Sequence, residues 1–167
     1  MGKTVLVSGA TGFIAGHVVE QLLARGHSVV GTVRDPGDAA KVGFLTAMQG
    51  DLRLVAANLL DADPFTAHAD VDAILHLASP YIVNVKDPQR DLVDPAVQGT
   101  LSMLRAAKAN PRVKRVVLTS SMAAVTDEPD GRVLTEADWN SKSSLTRNPY
   151  YYSKTLAERA AWDFMAA

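Results

Sequence analysis

Two stretches near the end of this sequence carry residue types that could move a proton. In NPYYYSKTLAE, Tyr150 and Lys154 are four residues apart, so on a helix they share a face and both side chains can meet one ligand. An ammonium near a phenol stabilises the phenolate, pulling its pKa down from about 10 and making tyrosine a proton donor to a forming alkoxide near neutral pH. Tyr151 and Tyr152 lie three and two residues before Lys154, so Tyr150 alone has the four-residue spacing. A lysine stem snorkelling past a packed tyrosine gives the same pattern without chemistry. Upstream, RVVLTSSMAAV ends an apolar run with two serines, whose hydroxyls either cap a strand end or reach a ligand. Strand alternation would turn Ser120 and Ser121 to opposite faces.

A third stretch, SGATGFIAGHV, is built to approach an anion. Gly9 allows a tight turn and Gly12 a close backbone approach, and the helix that follows offers free amides and its positive dipole end to a phosphate. The spacing Gly9-x-x-Gly12-x-x-Ala15, with Gly16 next, departs from G-x-G-x-x-G, and a plain strand-to-helix turn would use the same glycines. After the second apolar run comes TVRDPGDAAK. An acid at that place binds a ribose 2′-hydroxyl, whereas Arg34, with Lys41 one to two turns on, suits the 2′-phosphate of NADP. Asp35 could bind a ribose instead, and the pair could also be an ordinary solvated turn.

These residues need elements to position them. Candidate strands are Thr4–Val7, Ser28–Val33, Leu52–Ala56, Ala73–Leu77 and Val113–Thr119; candidate helices are Gly12–Arg25, Gly37–Met48, Asp61–His68, Pro88–Ala109 and Pro149 onward. Their alternation predicts an α/β fold with a doubly wound parallel sheet, residues 1–167 forming one domain. Asp87-Pro88 should cap the long fourth helix and Asn110-Pro111 should stop it. Residues 126 to 148 form the long irregular stretch, and loops of that length usually carry a function.

Bulk properties narrow the class. The 167 residues are 47% hydrophobic and 21% charged, enough for one sizeable core. A net charge of −1 with scattered basic residues gives no footprint for nucleic acid or an anionic membrane. With no cysteine, disulfides, thiolate metal sites and a cysteine nucleophile are excluded. The apolar run at the start is too short for a signal sequence or membrane span, so a cytoplasmic protein is expected. His17, His27, His68 and His76 match no zinc motif, so no metal is expected; His76, inside ILHLAS, reads as a hydrogen-bonded core histidine. Trp139 and Trp162 read as packing residues.

Taken together, SGATGFIAGHV, TVRDP, ILHLASP, DPAVQGTLSMLRAA, RVVLTSSMAAV, LTEADWNS and YYYSKTLAERAAW resemble the extended short-chain dehydrogenases/reductases. The likeness is to the branch of dihydroflavonol and cinnamoyl-CoA reductases and similar microbial carbonyl reductases, and it runs over essentially the whole chain. The resemblance implies a Rossmann-type domain binding NADPH. Its phosphates would meet Gly9, Thr11, Gly12, Phe13 and Ile14, its 2′-phosphate Arg34 and Lys41, and its adenine Asn58 and Leu59. Leu77, Ala78 and Ser79 would pass beside the ribose. It further implies a catalytic set of Ser121, Tyr150 and Lys154: Ser121 bonds the substrate carbonyl, Tyr150 protonates it, and Lys154 binds the nicotinamide ribose and lowers the tyrosine pKa. The expected reaction is reduction of a small aldehyde or ketone to the alcohol.

Two positions depart from the family pattern: Asn58 stands where Asp is usual, and Ala15 where the third glycine is usual. Family members also continue into a further strand and a smaller lobe that closes over the substrate, which this sequence does not contain. The expectation is therefore a chain that binds NADPH and turns over poorly, with an open groove that self-association or a partner would cover. Two other functions fit the same motifs: a cofactor-binding domain without turnover, and an NAD-dependent sugar-nucleotide epimerase or dehydratase, which would prefer an acid at Arg34.

Overall fold

The computed structural model describes residues 2–82 and 84–167. These fall into two compact units, residues 2–78 with 102–119, and residues 79–101 with 120–167.

The first unit holds a five-stranded sheet of β1 (Thr4–Ser8), β2 (Ser28–Val33), β3 (Leu52–Ala56), β4 (Ala73–His76) and β5 (Arg115–Leu118), in the order β3-β2-β1-β4-β5 with every pairing parallel. The central strands are near-continuous apolar runs because both faces are buried. Alternation sorts them: Val5, Val7, Val29 and Val33 join Val19, Leu23, Val42 and Leu45 of helices α1 (Phe13–Ala24) and α2 (Ala39–Thr46) in one core. Leu6, Val30 and Ile74 pack with Phe65, Met103 and Ala106 in a second. Helix α3 (Asp94–Ala109) supplies Met103 and Ala106. The sheet is doubly wound, as expected, and its order reverses where β4 joins β1, the place at which such folds bind ligands. At the opposite end of these strands Arg112 bonds Asp70, Asp72 and the Thr4 hydroxyl, and holds the Asp72 carboxyl below the usual carboxylate range.

Two predicted helices take other forms. Instead of a helix over Asp61–His68 there is a single 3-10 turn, Thr66–His68. Pro64 disfavours helical backbone at Asp63, whose carboxylate accepts the Thr66 N–H, so the turn starts only there. The segment Pro88–Ala109 opens with one π-helical turn, Gln89–Val93, before α3. Pro95 has no N–H to offer the Asp91 carbonyl, and its ring crowds that group, so the helix widens there. Asp87 does cap this segment, accepting the Arg90 N–H at 3.1 Å.

In the second unit, α4 (Pro149–Ala166) packs against the π-helical turn and against a 3-10 turn at Met122–Ala124. Trp139 is half-buried under the Arg159 guanidinium, 5.1 Å from its ring centroid. Trp162 does not pack inside: it lies on the outer face of α4, 62% exposed, its indole N–H on Glu158. No helix among the described residues is long and apolar enough to cross a membrane.

Candidate functional site

The first unit builds a turn at the carboxyl ends of β1 and β4. Gly9 adopts φ +67°, and a Cβ on it would sit 3.1 Å from the Ala78 Cα, so both conformation and space require glycine. The turn is pinned by Gly9 N–H to Thr32 Oγ1, Ala10 N–H to the Thr32 carbonyl, and Gly12 N–H to the Gly9 carbonyl at 2.8 Å. Gly12 is the N-cap of α1 and no side chain caps that terminus, which leaves its first amides to an external acceptor. Thr11 is half-buried in the turn, while Phe13 and Ile14, at the start of α1, are exposed.

Beneath this turn lies a pair that spacing in the sequence does not disclose. Ser8 Oγ accepts the N–H groups of Leu77 and Ala78 at 3.0 and 2.9 Å and lies 2.8 Å from His76 Nδ1. With both lone pairs used, the hydroxyl proton goes to Nδ1, which assigns the Nε2–H tautomer to the buried His76. His76 is the hydrogen-bonded core histidine expected, with Phe65 edge-on to its ring. Gly31 is a second unforeseen requirement: a Cβ there would meet the Ala10 Cβ at 3.0 Å.

Past β2, Arg34 is exposed and has no ion-pair partner among the described residues. Lys41 Nζ sits 2.7 Å from Asp38, whose carboxyl it holds below the usual range. Asp35 spends one carboxylate oxygen on the Gly37 N–H at 2.8 Å. Asn58 accepts the Leu60 N–H in a local turn beside the half-buried Leu59.

The second unit carries Ser79, Ser121, Tyr150 and Lys154. The Ser79 Oγ is buried with no hydrogen-bond partner among the described residues. Ser121 lies three residues beyond β5, at the N-cap of the 3-10 turn, where its Oγ accepts the Ala123 N–H at 3.2 Å. Ser120 turns elsewhere and donates to the Glu158 carboxylate. Tyr150 and Lys154 stand on successive turns of α4, with the Tyr81 ring edge-on to Tyr150 at 5.0 Å between centroids. Lys154 is only 6% exposed; burial pushes its ammonium below the usual lysine range, and the Glu158 charge opposes that. The Ser121 turn is fastened to α4 through the Ala123 carbonyl, which accepts from Thr155 Oγ1 and Asn140 Nδ2. Sequence reading missed Asn140 and Asp127, which organise the 126–148 stretch. Among the described residues no group of three or more His, Asp or Glu is placed to hold a metal ion.

The chain is similar to proteins of known family. The sequence profile of the NAD-dependent epimerase/dehydratase family matches residues 5–167. A cinnamoyl-CoA reductase of Medicago truncatula is 45% identical over 99% of this chain and 54% of its own length. An anthocyanidin reductase of Vitis vinifera is 43% identical over 97% of this chain and 51% of its own. The crystal structure of Gre2 from Candida albicans in complex with NADPH superposes with a TM-score of 0.83 at 39% identity, covering 98% of this chain and 53% of that one. The chain thus spans about half the length of the curated relatives it matches. With this sheet order, this glycine turn and these relatives, the chain belongs to the NAD-dependent epimerase/dehydratase family, the extended short-chain dehydrogenases/reductases.

Proposed function

We propose that this chain is the cofactor-holding and proton-transferring part of an NADPH-dependent reductase that converts a small aldehyde or ketone to the alcohol. The observation that carries the reading is the buried Lys154 one helical turn from Tyr150 on α4, with the Ser121 turn packed on the same helix. The residues present fit the dinucleotide: a glycine cradle at Gly9 and Gly12, and an uncapped helix terminus for phosphate. Arg34, exposed and without an ion-pair partner among the described residues, would take the 2′-phosphate, with Lys41 helping from its Asp38 pair. Asp35 has one carboxylate oxygen on the Gly37 N–H. Asn58 and Leu59 would border the adenine, and Leu77 and Ala78 the ribose.

NADPH, when bound, supplies the hydride. The protein's part is to steer oxygen and proton. Ser121 Oγ accepts the Ala123 N–H, which leaves its own proton to donate to a substrate carbonyl oxygen. Tyr150 gives its phenolic proton to that oxygen, and the Lys154 ammonium makes the departure of that proton easier. The relatives named as NADPH-dependent methylglyoxal reductase and as cinnamoyl-CoA reductase support a carbonyl substrate without choosing it. The test is NADPH oxidation, followed by absorbance, with a panel of aldehydes and ketones and the protein expressed from its complete reading frame. Turnover on the order of 1 per second or faster with at least one carbonyl supports the reading; NADPH binding with no turnover across the panel opposes it.

A further inference from the structure

The irregular stretch 126–148 converges on one buried carboxylate. The Asp127 side chain is fully covered, and its Oδ2 accepts from Ser143 Oγ at 2.8 Å, Asn148 Nδ2 at 3.1 Å and Arg147 Nε at 3.3 Å. From Ser143 the network runs on to Asn140, whose side chain is satisfied at every position. Its Nδ2 donates to Ser143 Oγ and to the Ala123 carbonyl, at 2.7 and 2.8 Å, and its Oδ1 accepts the N–H groups of Lys142 and Ser143. The Asn140 N–H meets the Ala124 carbonyl at 2.8 Å. One arm of the network therefore grips the 3-10 turn that Ser121 caps.

The other arm grips the start of α4. Asn148 has φ +50°, the one non-glycine residue with positive φ among those described, and it precedes a proline, where helical backbone is crowded. Its carbonyl accepts the Tyr152 N–H at 3.0 Å, so its conformation sets where the helix carrying Tyr150 begins. The bond from Asn148 Nδ2 to Asp127 helps hold that conformation. Burial would raise the Asp127 carboxyl, but the Ser143 and Asn148 bonds and the Arg147 charge outweigh it and hold it below the usual range, so it stays a pure acceptor at neutral pH.

We propose that Asp127 is a positioning residue that locks the Ser121 turn to the start of α4, so that Ser121 and Tyr150 address one carbonyl oxygen; the last clause rests on the reductase reading above. The lock itself is tested without turnover, by amide hydrogen exchange on the wild type, Asp127→Ala, Asp127→Asn and the exposed control Asp130→Ala. In Asp127→Ala the amides of Ala123, Asn140 and Tyr152 should exchange at least about tenfold faster while those of Leu6 and Val30 in the sheet keep their rates. Asp127→Asn, which keeps an acceptor oxygen, should fall between, and Asp130→Ala should match the wild type. Unchanged exchange at the three amides, or an equal rise in the sheet, overturns the proposal. In steady-state kinetics Asp127→Ala should lower kcat at least about tenfold and leave the KM for NADPH within about threefold, with partial recovery in Asp127→Asn. An unaltered kcat also overturns it. A wild type that reduces no carbonyl defeats the reductase reading, while the exchange rates still decide the lock.

Discussion

Gly9 lies so close to Ala78 that any side chain on it would press on the Ala78 backbone, 3.1 Å from a built Cβ. That closeness brings the glycine turn after β1 against the end of β4, and Ser8 fixes the same place by binding the amides of Leu77 and Ala78.

Gly9→Ala should therefore cost roughly 1–3 kcal/mol of stability, from forced positive φ and the contact together, and should weaken NADPH binding. Gly43→Ala, in the middle of α2 with nothing within 4 Å of its Cβ, should gain about 0.5–1 kcal/mol. Denaturant unfolding of both variants checks the contrast, and equal effects would contradict it.

Cofactor choice should follow Arg34. Calorimetric titration is expected to show NADPH bound more tightly than NADH, and Arg34→Ala should lose about 1.5–3 kcal/mol with NADPH while barely changing NADH. Equal wild-type affinities would contradict this assignment.

Lys154 should leave a mark on the pH dependence of stability. Its folded value lies below 10.5, with burial as the main cause. Between the folded value and 10.5 the unfolded chain holds more protons than the folded one, so stability rises with pH in that window and is lost as pH falls through the folded value. Relative to Lys154→Met, the wild type should gain stability as pH rises from neutral toward 10.5, measured as urea midpoints across that range. A flat difference would mean that burial does not perturb this lysine.

What was legible in the sequence is what is local. The strands were readable because each is an apolar run, and Gly9, Gly12, Tyr150 and Lys154 stood out because their chemistry depends on short spacings within one element. Over Asp61–His68 the helical pattern is outweighed by Pro64 and the Asp63 carboxylate on the Thr66 N–H, and the π-helical turn departs from the regular helix read over Pro88–Ala109 because Pro95 lies inside that span. Ser8 with His76, and Asp127 with Ser143, escaped notice because the partners are 68 and 16 residues apart and only the folded backbone brings them together.

The central claim, proton transfer from Tyr150 in a reductase that holds NADPH, is tested most directly by pairing turnover with binding. In the protein expressed from its complete reading frame, Tyr150→Phe should lose at least about 10²-fold in carbonyl reduction, since it removes the general acid, with NADPH affinity nearly unchanged. Tyr151→Phe, whose ring lies 6.2 Å from that of Tyr150 and whose spacing to Lys154 is one residue short, should keep its activity. Tyr150→Phe turning over like the wild type, or Tyr151→Phe proving to be the inactive variant, would contradict the account.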